Sequence, residues 1–356
     1  MGDVAMKSDV YFVPVETNDL EARADALDKL IGRLSGLMVY QEKEIVPVKL
    51  TIGDSACVYH MSPQLVKQIV NKIKTLKARP FLFDTGVIYH GMRQNAVDHL
   101  TLVQNKGFFH SRVGAPFIVA DGLLGFDGRE YEVNTANLKK IKVPSFVGML
   151  DSLVVLSHAT GHVFSGYAGA LKNVAMGMSC RPAKQVQHSS LKPSVIRDKC
   201  RSCGCCIQAC PVGAVSRDDK GRAFINTAEC IGCGECLCAC KFEAVYVNWN
   251  EDMKIFCRRM CEAAHFILSK FKNKMFITFA FDITQECDCI STKDDKMISH
   301  NLGIFASCDP LSLDQAVSDM VTDDLHFFQS HAEYKKMFDY AQEIGLGNMA
   351  YNLIRL

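Results

Sequence analysis

Cysteine is the residue type whose number and spacing say most about the chemistry of this chain. Seventeen of the 356 residues are cysteine, and ten of them lie between Cys200 and Cys240. Eight of these ten follow the pattern C-x2-C-x2-C-x3-C twice, and Ala-Val follows each set after the same gap. This repeat is typical of bacterial ferredoxins with two 4Fe–4S clusters, and it predicts one-electron transfer.

The spacing also predicts which thiolates share a cluster. In ferredoxins of this type, three ligands come from one set and the fourth comes from the other. The predicted ligands of the first cluster are Cys200, Cys203, Cys206 and Cys240. The predicted ligands of the second cluster are Cys230, Cys233, Cys236 and Cys210. Because the ligands cross between the sets, we expect the segment not to fold without iron, and we expect Cys205 and Cys238 to be small fillers beside the clusters.

Zinc binding and disulfide bonding are the alternative uses of clustered cysteines. Zinc sites usually combine two separated pairs of ligands, whereas this chain has two triplets, each with a trailing fourth cysteine. Many disulfides would need an oxidising compartment, while free thiolates that serve as ligands need a reducing one. The spacing therefore favours iron–sulfur clusters.

Composition and charge narrow the class of protein further. The first ten residues lack the apolar run of a signal peptide, and the longest apolar stretch is interrupted by Asp151, so no membrane span is expected. The formal net charge of +1 gives no electrostatic reason to bind nucleic acid or an anionic membrane. We therefore expect a cytoplasmic protein that works under anaerobic conditions without nucleic-acid or membrane partners.

In the rest of the chain, short apolar runs alternate with segments that have the apolar periodicity of helices. This predicts an α/β fold with a mainly parallel sheet and helices on both faces. Strands are predicted at 46–52, 80–85, 116–121, 152–157 and 274–283. Helices are predicted near 18–36, 62–77, 92–105, 255–270, 312–321 and 331–346, and Ser62 and Pro63 suit the start of the second. The cysteines fall between these units, so we predict a ferredoxin-type module at 194–248, inserted into an α/β domain made of 1–193 and 249–356.

A second chemically suggestive region follows the apolar run at 152–157. Parallel sheets bind ligands beyond the carboxyl ends of their strands, and His158, His162, Lys172 and Asn173 come next here. Such residues beside glycines are typical of a catalytic or anion-binding loop. We take these four as candidate catalytic residues that donate protons or contact substrate. Metal binding by the histidine pair and ordinary loop structure are the alternatives, and the metal alternative lacks the glutamate of a zinc-protease motif.

Other predicted strands also end in polar or thiol side chains. The polar ones are Lys49, Asp54, Asp84, Thr85, Tyr89, His90, Arg93, Asn95 and Asp121. Each aspartate alone is more typical of a cap or turn, but the shared position favours a joint function. Beyond the last predicted strand, Cys287-Asp288-Cys289 suits metal binding, redox chemistry or plain burial. We name Cys287 and Cys289 as candidate ligands of a possible additional metal.

Six stretches of the chain resemble the family called domain of unknown function 362, whose members embed a two-cluster 4Fe–4S module in an α/β domain. The stretches are FDTGVIYHGMRQNAVDHL (83–100), GAPFIVADGLLG (114–125), LVVLSHATGH (153–162), SGYAGALKNVAMG (165–177), CDC (287–289) and GIFASCDPLSLDQA (303–316). The resemblance covers nearly the whole chain, although Thr160 stands where many members have lysine. It implies the fold and the clusters but supplies no reaction.

Two functions of different classes fit these observations. In the first, a reductase passes low-potential electrons through two 4Fe–4S clusters to a substrate or metal site at the strand-end loops. In the second, the protein is a non-catalytic electron-transfer or adaptor protein between redox partners. The length of the chain favours the reductase, because an electron carrier needs only the cluster module of about 55 residues. No nicotinamide or ATP motif occurs, so we expect electrons from a ferredoxin, a flavodoxin or a similar protein.

Overall fold

A computed structural model describes residues 7–89, 91–162, 165–188, 192–230, 236, 239–240, 242, 244–247, 253–321 and 333–356. Strands alternate with helices along most of this length. The strands, in chain order, are β1 (Ser8–Pro14), β2 (Ile45–Lys49), β3 (Arg79–Asp84), β4 (Phe117–Val119), β5 (Arg129–Glu132), β6 (Lys140–Val143), β7 (Ser152–His158), β8 (Thr160–His162), β9 (Gly166–Ala168), β10 (Pro193–Val195), β11 (Val215–Arg217), β12 (Ala223–Ile225), β13 (Val245–Val247), β14 (Asn273–Ala280), β15 (Gly303–Ser307) and β16 (Tyr351–Arg355).

The helices in the described ranges are α1 (Leu20–Leu34), α2 (Pro63–Thr75), α3 (Ala96–Asn105), α4 (His110–Val113), α5 (Ala170–Ala175), α6 (Arg181–Gln187), α7 (Cys205–Ala209), α8 (Met253–Leu268), α9 (Pro310–Met320) and α10 (Glu333–Glu343). Six of these ten helices lie where the sequence patterns predict them, and the four short helices α4 to α7 were not predicted. Ser62 caps α2 as predicted, since its hydroxyl accepts from Gln64 N at 3.2 Å. Asn95 likewise caps α3, so this helix begins later than its apolar pattern predicts.

Eight strands form one sheet in the order β16-β1-β15-β14-β7-β2-β3-β4. The five strands from β14 to β4 pair in parallel, and β1 pairs in parallel with β16. Only β15 is antiparallel to both of its neighbours. Seven strands of this sheet therefore point the same way, which confirms a mainly parallel sheet. The carboxyl ends of β2, β3, β4, β7 and β14 consequently lie at one edge.

Both faces of the sheet are covered by helices, as predicted. Successive side chains of β7 alternate between two cores: Leu153 and Val155 face one, and Val154 and Leu156 face the other. The first core also contains residues of α5, α8, α9 and α10. The second contains residues of α1, α2, α3 and α4. Strands buried on both faces need continuous apolar runs, which is why the central strands were readable from the sequence.

The structure corrects the predicted strands at two places. The sequence patterns predict none of β1, β15 and β16, the three strands that form one side of the sheet. The strand predicted at 274–283 ends at Ala280. Asp282 has a φ of 48°, in the left-handed region that extended strands do not use, so the chain turns there toward the cysteine pair.

Residues 193–247 build a small core of their own. β10 pairs with β13 and β11 pairs with β12, both antiparallel. The buried residues of this core are Cys206, Val215, Ala223, Ile225, Cys236 and Val245. The pairing of β10 with β13 brings the two ends of the segment together, which supports the predicted insertion at 194–248 between 1–193 and 249–356. These boundaries stay a prediction.

Candidate functional site

Four cysteines of the inserted segment line a single cavity: Cys200, Cys203, Cys206 and Cys240. They are the four that the crossed ligand pattern assigns to one cluster. Burial raises the pKa of the Cys206 thiol, and the three neighbouring thiols raise it further. Thiols that hinder one another's ionisation in this way are relieved when iron ions bind between them, so the residues present fit a cluster with four thiolate ligands.

The arrangement of these thiols also bears on the zinc alternative. Among the described residues, no three side chains of His, Cys, Asp or Glu are close enough together to hold one metal ion. A zinc ion needs its ligands at about 2.0–2.3 Å from a single centre. The thiolates of an iron–sulfur cluster bind different iron atoms, so they surround a cavity instead of converging on a point.

The second set of cysteines is described in part. Cys210, Cys230 and Cys236 all pack in the small core of the inserted segment. Cys233, the remaining predicted ligand of that cluster, lies outside the described residues, as does the extra Cys238.

The repeated Ala-Val pairs have a structural role beside the fourth cysteine of each set. Ala214 N donates to Cys210 Sγ at 3.2 Å, and Ala244 N donates to Cys240 Sγ at 3.3 Å. The following residues, Val215 and Val245, begin strands and are 4 % exposed. Amide hydrogen bonds to ligand sulfurs are one means by which proteins adjust cluster potentials, so the repeat extends beyond the ligands.

The crossed assignment predicts different results for two nearby cysteines. Cys205→Ala should leave both clusters in place, because each already has four predicted ligands. Cys210→Ala should damage the cluster whose other ligands begin at Cys230. Iron content and the electron paramagnetic resonance signals of the reduced clusters would measure this. Loss of the cluster that begins at Cys200 in the Cys210→Ala protein would contradict the assignment.

A buried ion network lies at the ends of β2 and β3. Lys49 Nζ is 3.0 Å from Asp84 Oδ1, and a guanidinium nitrogen of Arg93 is 3.1 Å from Asp84 Oδ2. These three residues are 1 %, 3 % and 2 % exposed. Burial alone would raise the pKa of Asp84, but the charges of Lys49 and Arg93 hold it well below its usual range. The carboxylate therefore stays ionised between two cations.

Arg93 connects this network to neighbouring strand-end loops. Its guanidinium donates to the hydroxyl of Tyr89 and, at 3.3 Å, to Thr51 Oγ1, and its Nε lies 3.7 Å from Asp54 Oδ2. Asp54 N in turn donates to the carbonyl oxygen of Asp288 at 3.1 Å. The loops after β2, β3 and β14 are thus in direct contact.

Asn173 joins the loop after β7 to the same network. Its Oδ1 accepts from Lys49 Nζ at 2.8 Å, and its Nδ2 donates to Leu156 O at 2.8 Å and Ser157 Oγ at 3.0 Å. A β-carbon at Gly177 would overlap the end of the Lys49 side chain. Glycine is therefore needed there for the lysine to reach its partners.

Helix α5, which carries Lys172 and Asn173, is fixed by a residue of another helix. Its first amides, Ala170 N and Leu171 N, donate to the carboxyl group of Asp314 at 2.7 and 2.9 Å. A β-carbon at Gly169, which precedes the helix, would overlap Asp314 Oδ1. The short helix thus depends on a buried carboxyl group of α9 to cap it.

His158 is held between two hydrogen-bond acceptors. Its Nδ1 lies 2.8 Å from Asp288 Oδ1, and its Nε2 lies 2.6 Å from Phe281 O. Both ring nitrogens must carry protons to donate to both acceptors, so the network assigns a positively charged ring. Burial lowers the pKa of His158, but the charge of Asp288 and the two hydrogen bonds outweigh it and raise the pKa above the usual value.

The His158–Asp288 pair should make stability depend on pH. A raised folded-state pKa stabilises the protein fully below the unfolded value of about 6.5, and the effect is lost as pH rises through the folded value. His158→Gln should cost about 1–3 kcal/mol at pH 6 and less at higher pH. Urea unfolding across this range measures the difference, with His265→Gln as control because His265 is exposed on α8. If the difference in unfolding free energy between the wild type and His158→Gln grew with pH, the pairing would be contradicted.

His162 is in the opposite protonation state. Its Nδ1 accepts from Ser165 N at 3.0 Å, and Ser165 Oγ lies 2.8 Å away. Burial lowers its pKa well below the usual value, and the positive charge of Lys172 lowers it further. The two histidines that follow the same strand therefore differ in charge, His158 being protonated and His162 neutral.

Cys287 and Cys289 lie beside Lys172 and the Tyr89–Arg93 pair. Each thiol influences the ionisation of the other. The neighbouring Cys287 thiol holds the pKa of Cys289 well below its usual value despite burial, and the positive charges of Lys172 and Arg93 lower it further. The neighbouring Cys289 thiol and burial raise the pKa of Cys287. In the described region no third side chain of His, Cys, Asp or Glu joins the pair as a metal ligand, and the additional metal stays a prediction.

The structure brings most of the sequence candidates together at one sheet edge. Lys49, Asp84 and Arg93 form the buried network, His158 contacts Asp288, and Asn173 accepts from Lys49. Lys172 precedes Asn173 on α5. His90 lies outside the described residues, and Asn95 caps α3. Sequence reasoning gave no role to Asp288, whose carboxylate binds His158. The sequence feature that could have marked Asp288 as functional is its position between two cysteines just after a predicted strand.

A second basic group lies at the same edge, on α6. Lys184 Nζ donates to Thr85 Oγ1 at 2.7 Å and to the carbonyl oxygen of Gly86. The amide of Gly86 donates to Asp121 Oδ1 at 2.8 Å. Thr85 and Asp121, both named from the sequence, therefore belong to this part of the site.

The end of α6 leads toward the inserted segment. His188, which follows α6, packs its ring 4.8 Å from that of Phe256 on α8, the helix that leaves the segment. Phe256 also stacks on His162, with ring centres 6.3 Å apart. His188 and Phe256, which flank the inserted segment in the chain, are therefore packed together beside His162.

None of the helices in the described ranges is long and apolar enough to cross a membrane.

The family model described as "Domain of unknown function (DUF362)" matches residues 46–319, which is more than half of the chain. Several similar proteins carry iron–sulfur names. The chain is 33 % identical over 70 residues to the thiosulfate reductase electron transfer subunit PhsB of Salmonella typhi, covering 19 % of this chain and 36 % of that protein. It is 39 % identical over 54 residues to the ferredoxin-like protein YdhX of Escherichia coli K12, covering 15 % and 24 %.

A third relative is the arsenate respiratory reductase iron–sulfur subunit ArrB of a Shewanella species, 33 % identical over 57 residues, which covers 14 % of this chain and 24 % of that protein. The chain thus spans less than two fifths of the length of each of these relatives. Two solved structures are similar at 13 % identity: a Thermotoga maritima protein (TM-score 0.40, 91 % of this chain, 60 % of that one) and the lactate racemase apoprotein of Thermoanaerobacterium thermosaccharolyticum (0.39, 87 % and 56 %).

Proposed function

The chain belongs to the family described as domain of unknown function (DUF362), and from this premise we propose that it is an iron–sulfur reductase. In this proposal the eight cysteines of the inserted segment hold two 4Fe–4S clusters. Each cluster, when bound, supplies electrons one at a time. The substrate binds at the strand-end edge of the large sheet, where its reduction also consumes protons.

The observation that carries the proposal is the group around Cys287, Cys289 and Lys172. The loop that carries the partly exposed Cys289 is bonded through Asp288 O to Asp54 N, and Asp54 lies beside the buried Arg93. This is the edge of the sheet where the carboxyl ends of parallel strands present their loops. A carrier needs no such group. Lys172 is suited to stabilise negative charge as electrons arrive, and the protonated His158 is suited to supply a proton through the carboxylate of Asp288.

The remaining candidates position these groups. Asn173 ties Lys49 to the strand-end backbone, so it holds α5 and Lys172 against the sheet. His162 stays neutral because burial and the charge of Lys172 lower its pKa, and it is suited to position its loop through Ser165 and through its stacking on Phe256. That contact lies where the inserted segment meets the α/β part, which supports an electron path from the clusters to this edge.

The second candidate function is electron transfer between other redox proteins, and the names of the relatives favour it. PhsB is named an electron transfer subunit and ArrB an iron–sulfur subunit. In that case the strand-end site would be a docking scaffold. Under either function, we propose that a ferredoxin, a flavodoxin or a similar protein supplies the electrons.

The experiment that separates the two functions follows the oxidation of the reduced clusters. The cluster-loaded protein is reduced anaerobically, freed of reductant and mixed with a panel of oxidised small molecules, while cluster absorbance is recorded. A reductase should be reoxidised rapidly by one chemical class, with release of a reduced product. Rapid reoxidation by redox proteins alone, with none by small molecules, would contradict the reductase and support the carrier.

A further inference from the structure

The stretch of chain around the first cysteine set, 200–210, is more basic than the rest of the protein. Between residues 192 and 222 there are seven lysine or arginine residues and three aspartates, although the whole chain has a formal net charge of only +1. The stretch around the second set, 229–243, has three glutamates and one lysine instead. The two halves of the inserted segment therefore differ in charge, and the first half is the basic one.

The positive charges reach the cavity that Cys200, Cys203, Cys206 and Cys240 line. Arg201 and Arg217 are exposed and line this cavity too, and no acidic residue is among the described residues of its lining. Arg197 is also exposed, and its carbonyl oxygen accepts from Cys200 N at 3.2 Å, so it borders the same cysteines. A partner that approaches the cavity therefore meets positive charge.

Two of the three aspartates in this stretch are already engaged. Asp218 Oδ1 accepts from the backbone amides of Lys220 and Arg222, both at 2.9 Å, and so closes the turn between β11 and β12. Asp198 lies 3.5 Å from a guanidinium nitrogen of Arg222. The arginines beside the cysteines are consequently not the ones that these aspartates neutralise.

The basic stretch also presents a predicted ligand and an aromatic ring to the outside. Cys203 is exposed, whereas Cys206 is buried. Phe242, which lines the same cavity, is 45 % exposed. Arg217 is fixed beside them, since one of its guanidinium nitrogens donates to Ser202 O at 2.9 Å. Arginine and exposed aromatic side chains are enriched in protein interfaces, so these groups suit a protein partner.

We propose that the basic face formed by Arg197, Arg201, Arg217 and Phe242 around Cys203 is the docking surface for an acidic one-electron carrier protein. The direction of transfer rests on the proposed function: the carrier loses one electron at each encounter and this protein gains it. Docking itself rests on charge and requires no substrate. Contacts between redox proteins are small and weak, so complementary charge sets much of their encounter rate.

Calorimetric titration of the cluster-loaded, oxidised protein measures docking without electron transfer. The probes are a bacterial flavodoxin and an acidic bacterial ferredoxin, each at about 0.05 M and about 0.5 M salt, because salt screens exposed charges. The test variant is Arg197→Glu/Arg201→Glu. The matched control is Lys29→Glu/Lys67→Glu, which makes the same change of charge at exposed positions of α1 and α2. Cluster absorbance shows that each variant keeps its inserted segment folded.

At low salt the test variant should bind the probes at least about tenfold more weakly than the wild type, and the control should stay within about twofold. At high salt the wild-type affinity should fall to within about threefold of the test variant. Phe242→Ala should weaken binding at both salt concentrations, because the contact of its ring is apolar.

Three results would overturn the proposal. In the first, neither probe binds the wild type at low salt. In the second, the control variant loses as much affinity as the test variant. In the third, a DNA duplex binds as tightly as the probes and loses affinity in the same variant, which would make the face a general site for polyanions. Because no substrate or electron takes part in the titration, its failure leaves the reductase to the reoxidation experiment.

Discussion

Replacing Asp84 by alanine is expected to lower the free energy of unfolding by about 3–5 kcal/mol. The carboxylate lies 3.0 Å from Lys49 Nζ and 3.1 Å from Arg93, and all three residues are almost fully buried. Without Asp84, two cations would remain in the sheet edge with no carboxylate between them, and removing one partner of such a network leaves a charge that burial disfavours.

Urea unfolding followed by far-UV circular dichroism, with the clusters kept loaded, measures this loss. Asp28→Ala is the matched control, because Asp28 is exposed on α1 and exposed substitutions usually change stability by less than about 0.5 kcal/mol. The pKa of Asp84 is held below its usual range, so its contribution should persist from pH 8 to pH 5 and be lost only in acid. If Asp84→Ala lowered the free energy of unfolding no more than Asp28→Ala does, the network would not be as buried as described.

Lys172→Gln is expected to slow substrate reduction about 10²–10³-fold while the cluster absorbance stays unchanged. Lys172 is a cation whose charge acts on Cys287 and Cys289, and removing one fixed group that stabilises developing charge typically costs this much. Burial lowers the pKa of Lys172, but the two cysteines outweigh it and raise the pKa above the usual value, so the side chain stays charged near neutral pH.

The rate to measure is the reoxidation of reduced clusters by the acceptor that the wild-type protein uses. Lys139→Gln is the matched control, since Lys139 lies on the surface before β6. If the Lys172→Gln protein keeps the wild-type rate, Lys172 has no part in the reaction. If the cluster absorbance is lost along with the reoxidation rate, Lys172 is needed for folding or cluster binding, and its proposed role in the reaction is wrong.

The helices and strands that could be predicted from the sequence are those with a distinctive local sequence pattern. The strands β2, β3, β7 and β14 are continuous apolar runs because both of their faces are buried. Helix α2 has a capping serine followed by proline. By contrast, β15 and β16 have five residues each and pair with strands far away in the chain. Nothing local in such short runs shows which strand they will join.

The site was readable only in part, for a similar reason. His158 and Lys172 stand out because their types suit proton transfer and they follow a strand. The sequence does not show that Asp288, 130 residues away, pairs with His158. Nor does it show that Asp314 caps α5 from another helix. These contacts depend on which strand ends are neighbours, and that order follows from tertiary packing.

Iron and acid-labile sulfide content of the anaerobically purified protein is the measurement that tests the central claim most directly. The claim is that this protein moves electrons through two 4Fe–4S clusters held by eight cysteines of the inserted segment. Two clusters of this type contain about eight iron and eight sulfide per chain, and we expect that content. A reproducible content of four iron with all eight cysteines intact, or of zinc in place of iron, would contradict the claim.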